Sequence, residues 1–168
     1  NLTVGKKGYE SAARLMAQTA VKAQELKDEC LRIVDEDTAA FNAVMDAFRL
    51  PKSTDAQKSG REAAVEAATK EATRVPFRLL GASLDLVKLA RTAARRGNRN
   101  SLSDAGVAAL AARTAAEGAA YNVRINLAGL KDEAFKESMA REALEIKRAV
   151  VRLACGVDRL IEREFGKR

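Results

Sequence analysis

The chain has 168 residues, 47% hydrophobic and 32% charged, enough to bury one core without metals or disulfides, and no apolar run in it is long enough to span a membrane. It contains no histidine, which excludes a Ser/His/Asp triad, a Cys/His pair and the commonest zinc sites; catalysis would fall to carboxylates, lysines, amides or backbone. With 30 basic against 23 acidic residues the formal charge is +7, a field that favours an anionic partner without naming it.

Two prolines, no Trp and heavy use of Ala, Leu, Lys, Arg and Glu favour helix throughout, and nothing alternates with the period of a strand. Asn1 to Lys7 reads as the last turns of a helix, broken by Gly5 and Gly8. A long helix follows from about Tyr9 to Phe48, with a stripe at Leu26, Cys30, Ile33, Asp37, Phe41, Val44 and Phe48. Pro51 ends it, because the residue before a proline is pushed out of the α region. The next helix, Thr54 to Arg96, continues the stripe through Val65, Ala72, Leu79, Leu86 and Ala93 and should bend near Pro76, which removes a backbone donor. Gly97 to Ser101 forms a turn, and Ser101 or Ser103 can cap a third helix that ends near Gly129. The last helix, Asp132 to Phe165, carries a seam at Met139, Ala143, Ile146, Val150, Leu153, Val157 and Leu160. These segments predict a single all-α domain over residues 1–168, a bundle of long helices. Cys30 and Cys155 have neither metal-ligand spacing nor scaffold density and read as reduced thiols of a cytoplasmic protein.

The residues that interrupt a stripe carry the functional signal. Asp37 falls between Ile33 and Phe41, while Asp35 and Glu36 turn toward the polar side. A carboxylate on a buried stripe must be paired or protonated. It suits general acid/base work, and it equally suits a structural ion pair with an arginine of a neighbouring helix. In the third helix the stripe Val107, Leu110, Thr114, Gly118, Tyr121, Asn122 and Ile125 includes a mid-helix glycine that costs about 1 kcal/mol relative to alanine. Such a glycine points to a close helix contact or to a ligand pressed on the backbone. Asn122 and Asn126, four apart, share a face that could bind a heteroaromatic amide; tight Ala-rich packing is the alternative. Lys6-Lys7 and Arg95-Arg96 with Arg99 form basic clusters at turns. Phosphate-binding loops and nucleic-acid modules are missing, and aromatic residues at 4% are too few for a base-stacking platform.

Several stretches together resemble one family: Asn1-Leu-Thr-Val-Gly-Lys-Lys7, Val34-Asp-Glu-Asp-Thr-Ala-Ala-Phe41, Leu50-Pro-Lys52, Gly97-Asn-Arg-Asn-Ser-Leu-Ser-Asp104 and Gly118-Ala-Ala-Tyr-Asn-Val-Arg-Ile-Asn-Leu127. They look like the C-terminal domain of formiminotransferase-cyclodeaminases and the related methenyltetrahydrofolate cyclohydrolases. The resemblance implies an all-helical homodimer acting on reduced folates with no cofactor or metal beyond the tetrahydrofolate substrate, and with no nucleic-acid or membrane partner. It places the catalytic aspartate on Asp37 and a folate pocket on Gly97, Asn98, Ser103, Asp104, Asn122 and Asn126. Lys6, Lys7 or Arg99 would meet the substrate's glutamate carboxylates. It also implies a Gly/Ser-rich segment and an Ala-rich helix ahead of Asn1, so the chain reads as lacking its N-terminal segment. The dimer is expected to bury the Met139 to Leu160 seam or the Ala-rich helix. The expected reaction is formiminotetrahydrofolate cyclodeaminase; the alternatives are methenyltetrahydrofolate cyclohydrolase and, without catalysis, a basic helical interaction module.

Overall fold

The structure, a computed structural model, describes residues 2–167. Four long helices carry most of them: α1 Ala13–Arg49, α2 Asp55–Arg96, α3 Leu102–Ala128 and α4 Glu133–Phe165, with 3₁₀ turns at Glu10–Ala12 and Arg99–Ser101. No strand occurs among the described residues, as the composition predicts. Among the described residues no helix is long and apolar enough to cross a membrane.

Helix boundaries follow local chemistry. Leu50 leaves α1 at φ −57° and ψ 148°, the extended geometry forced by Pro51. Thr54 opens α2 with a reciprocal cap: the Gln57 N–H donates to its hydroxyl at 3.2 Å, and its own N–H donates to Gln57 Oε1 at 3.2 Å. Gly97 closes α2, where a β-carbon would lie 2.5 Å from the Ala93 carbonyl oxygen. Asp132 caps α4 by accepting the Phe135 N–H at 3.0 Å.

Two expectations at the ends of elements are corrected. Leu2 to Gly8 is a run of turns rather than the end of a helix, since Gly5 and Gly8 sit at φ 77° and 87°, which no right-handed helix accommodates. Asn1, also read as helical, lies outside the described residues. Ser103 is inside the first turn of α3 and cannot cap it; Ser101 holds the cap position but makes no capping bond, and its buried Oγ has no hydrogen-bond partner among the described residues.

Helix α2 is the centre of the molecule, touching α1, α3 and α4. Its fully buried line is Thr73, Pro76, Leu80, Ser83, Val87 and Ala90, stepping by three and four residues, and the expected stripe from Val65 to Ala93 flanks this line half-buried. The hydroxyls of Thr73 and Ser83 donate to the carbonyls of Thr69 and Leu79 at 2.8 and 2.7 Å, so each satisfies itself inside its own helix and can enter the core. The α4 seam is buried or half-buried against α2 and α3 throughout.

Helices α1 and α3 present different faces from those expected. In α3 the core face is the alanine face, Ala105, Ala109, Ala112, Ala116, Ala119 and Ala120 with Val123 and Leu127. Small residues let α2 and α4 approach closely there, so the larger Val107, Leu110, Tyr121 and Ile125 turn outward, Ile125 being 70% exposed. In α1 the inward line shifts after Ile33 to Glu36, Ala40, Val44 and Ala47, because Glu36 reaches Arg78 of α2 in an ion pair. Asp37, Phe41 and Phe48 are thereby exposed. The seam and the alanine face both pack against helices of the same chain.

Polar contacts clasp α2 to the start of α4. Lys70 donates to Asp132 at 2.6 Å, Lys131 to Glu62 at 2.6 Å, and Glu66 accepts the backbone N–H groups of Lys131 and Asp132. The hydrogen bond from Lys70 holds the Asp132 carboxyl below its ordinary value, and that from Lys131 does the same for Glu62. A carboxylate whose folded value is depressed stabilises the fold fully above its unfolded value of about 4 and loses that contribution as pH falls through the folded one. The melting temperature is therefore expected to drop on acidification below about pH 4, and less steeply in Lys70→Met, as a thermal melt series in pH would show.

Candidate active site

The C-terminal half of α1, the first half of α2 and the last turns of α3 enclose a cavity of about 240 Å³ lined by Asp37, Phe41, Val44, Thr69, Ala72, Asn122 and Asn126. Three residues singled out from the sequence, on helices distant in the chain, are thus brought to one place. Asp37 is exposed rather than buried, and it takes part in no ion pair among the described residues. The structural pairing considered for Asp37 belongs instead to its neighbour Glu36, through Arg78. The Asp37 carboxylate is consequently free to meet a ligand at the cavity mouth.

The two asparagines differ in what they are free to do. Asn126 Nδ2 donates to the Ala72 carbonyl at 2.7 Å. The reason lies one turn away: Pro76 has no N–H, so the carbonyl four residues before it has lost its helical donor. Asn126 supplies the missing bond and pins α3 to α2 beside the cavity. Asn122, one turn earlier on α3, is exposed and forms no hydrogen bond among the described residues. Its amide, one acceptor and two donors, is available to a ligand. Thr69 and Ala72 were not recognised from the sequence, although Pro76 signals that the Ala72 carbonyl must find a donor from outside its helix.

The remaining predicted residues lie elsewhere. Gly97, Asn98 and Asp104 line a second cavity of about 300 Å³ at the other end of the bundle, together with Thr3, Met16 and Ser101. Eighteen residues of α3 separate Asp104 from Asn122, about 27 Å along the axis, so one chain does not join the two cavities into one pocket. Asn98 is buried and engaged: its N–H donates to Thr3 Oγ1 at 2.8 Å, its Nδ2 to the Leu2 carbonyl at 3.0 Å, and its Oδ1 accepts the Asn100 N–H at 3.0 Å. It ties the N-terminal turns to the α2–α3 connection. Ser103, Lys6 and Lys7 are exposed and line neither cavity. Arg99 is held by an ion pair with Glu164, and its backbone N–H donates to the Tyr9 hydroxyl at 3.1 Å.

Comparison with known proteins identifies the family. The sequence matches the formiminotransferase-cyclodeaminase family over residues 1–145. It is 40% identical over 142 residues to a methenyltetrahydrofolate cyclohydrolase of Methylorubrum extorquens, covering 84% of this chain and 68% of that one. It is 33% identical over 135 residues to the formimidoyltransferase-cyclodeaminase of Gallus gallus, covering 80% of this chain but only 25% of that longer protein. The fold superposes on the solved structure of a formiminotetrahydrofolate cyclodeaminase from Thermotoga maritima with a TM-score of 0.86 at 27% identity, over 97% of this chain and 77% of that one. The chain belongs to the formiminotransferase-cyclodeaminase family.

Proposed function

We propose that the chain is a reduced-folate one-carbon enzyme, and that it opens the methenyl bridge of methenyltetrahydrofolate with water at the Asp37 cavity. What carries the reading is that cavity: a carboxylate without an ion pair and an amide without a hydrogen bond among the described residues line one space, at helix positions that the family resemblance marks. The 40% identity to a cyclohydrolase favours this reaction. In it, Asp37 takes a proton from water as the oxygen adds to the cationic methenyl carbon. The carbon–nitrogen bond on one side then breaks; one proton of the water ends on the departing nitrogen and the other is released, leaving a formyl group on the second nitrogen. Ionised Asp37 also stabilises the cation before attack. The Asn122 amide can address the amide-like edge of the pterin.

Cyclodeamination is the second reading, supported by the superposition on the Thermotoga maritima cyclodeaminase. There the arm nitrogen attacks the protonated formimino carbon, ammonia leaves and the same methenyl cation is the product. Asp37 would move the proton from the attacking to the departing nitrogen. The two are separated by offering methenyl- and formiminotetrahydrofolate in turn, following methenyl absorbance and ammonia. Accelerated loss of methenyl absorbance without ammonia release supports the cyclohydrolase. Ammonia release with growth of methenyl absorbance supports the cyclodeaminase, and neither change points to a non-enzymatic basic helical module.

The outward faces of α1 and α3 call for a second copy of the chain. Phe41 at 62% and Phe48 at 49% exposure stand on the outward side of α1, Val107 at 66% and Ile125 at 70% on that of α3, and Gly118 of α3 has open space where its β-carbon would be. Large apolar side chains exposed along two helices in this way are characteristic of interfaces. Covering them would enclose Asp37 and withdraw the cavity from water. Sedimentation at micromolar concentration is expected to give a dimer, and Ile125→Glu, a charge placed on the exposed apolar side of α3, to give a monomer. A monomeric parent protein would remove the assignment.

A further inference from the structure

A groove of about 550 Å³ runs between α2 and α4, lined by Lys88, Arg91 and Arg95 on one side and Arg152, Arg159 and Arg163 on the other. Among the described residues no acidic side chain lines it. Lys88 is paired with Asp85 at 2.8 Å, whereas the five arginines form no ion pair among the described residues. Six like charges gathered round one space repel each other, and nothing in the packing requires them there, because all six are exposed. The floor is apolar, formed by Leu84 and Leu153 with Leu160, and Gly156 opens it further, with no atom within 4 Å of the position of a β-carbon. The groove is remote from the Asp37 cavity. Helix α2 contributes Ala72 to one and Lys88 to the other, about 24 Å apart along its axis, and α4 takes no part in the Asp37 cavity.

The geometry points to a second binding site, for a small molecule carrying a chain of phosphates. Seven residues separate Lys88 from Arg95 and eleven separate Arg152 from Arg163, so the cations form two rails about 10 and 16 Å long. A single anion would leave most of them uncompensated, whereas consecutive phosphates place a charge every few ångströms between the rails. Five of the six cations are arginines, whose planar forks bind phosphate oxygens in pairs. The apolar floor leaves room for an organic group attached to the phosphates. The volume lies within the range of small-molecule sites.

Equilibrium titration with inorganic tripolyphosphate and with ATP tests the site directly, and uses no folate turnover, so its outcome is independent of the function proposed above. Both are expected to saturate with dissociation constants below about 1 mM at about 0.15 M salt. Tighter binding of ATP means that the floor receives the nucleoside; equal binding means that the phosphate chain alone is recognised. Arg95→Glu/Arg159→Glu should weaken both by about tenfold or more, while Arg14→Glu/Arg141→Glu, which changes the net charge equally at exposed positions outside the groove, should weaken them by less than about threefold. Matching melting curves confirm that each variant is folded, and Arg95→Gln/Arg159→Gln repeats the test without charge reversal. Absence of saturation by either ligand, equal weakening in the two charge-reversed variants, or binding of tri-γ-glutamate as tight as that of tripolyphosphate would each overturn the assignment.

Discussion

Asp37→Asn is expected to lower turnover by roughly a hundredfold or more, the loss typical of a removed general acid/base, while leaving the melting temperature nearly unchanged. The change keeps shape and hydrogen-bonding capacity and removes only the ability to carry a proton. Stability should be insensitive because Asp37 is exposed and unpaired, the ion pair to α2 being made by Glu36 and Arg78. Surface substitutions of this kind stay within about 0.5 kcal/mol. Had Asp37 been the partner of a buried arginine, the same change would have cost about 3–5 kcal/mol by leaving a cation uncompensated. Rates per folded molecule, measured beside a melting curve, decide between the two. Glu36→Gln is the complementary case, expected to spare turnover.

Asn126→Leu should destabilise the fold, and the loss should depend on the proline across from it. With Asn126 gone, the Ala72 carbonyl has neither its helical donor, absent because of Pro76, nor the side-chain donor that replaces it. Leaving a half-buried carbonyl unsatisfied costs about 1–3 kcal/mol. In a Pro76→Ala background the N–H of residue 76 can bond the Ala72 carbonyl directly, so the same asparagine change should cost clearly less. The double-mutant cycle, by denaturant unfolding, then returns a coupling energy of about 1–2 kcal/mol. Additive effects would show that Asn126 does not serve the carbonyl freed by the proline, and that its place beside Asp37 has another cause.

Much of the fold was legible because the helices end on chemistry that reads directly from sequence: Pro51 after α1, Gly97 after α2, Asp132 before α4. The α4 seam was also legible, since bulky aliphatic residues at heptad spacing have one way to face a core. The faces of α1 and α3 were misread for a common reason. Periodicity shows that a helix has an apolar stripe but not whether the stripe meets its own chain, and in α3 alanines fill the core because three helices crowd there. The same ambiguity governs the site. Asp37 stood out as a charge on an apolar stripe, and beyond Ile33 that stripe turns outward at Asp37, Phe41 and Phe48, so the carboxylate was found for a reason that holds only if a second chain covers it. Asn98 was marked as a pocket residue by the family resemblance, and its hydrogen bonds to Thr3, Leu2 and Asn100 show a structural tie that local sequence cannot reveal, because two of the three partners lie about 95 residues away. Thr69 and Ala72 were passed over as ordinary helix residues; only the pairing of α2 with α1 and α3 places them at the cavity.

The central claim is that a reduced folate binds in the cavity shared by Asp37, Asn122 and Asn126, and Asn122 tests it most directly because this side chain makes no hydrogen bond among the described residues. Titration of the protein with a non-reactive reduced folate, such as 5-formyltetrahydrofolate, should saturate. Asn122→Leu, with an unchanged melting temperature, should weaken that binding by about tenfold, the loss of one or two hydrogen bonds to a ligand. Unchanged affinity in a folded Asn122→Leu protein would contradict the account and place the folate elsewhere on the bundle.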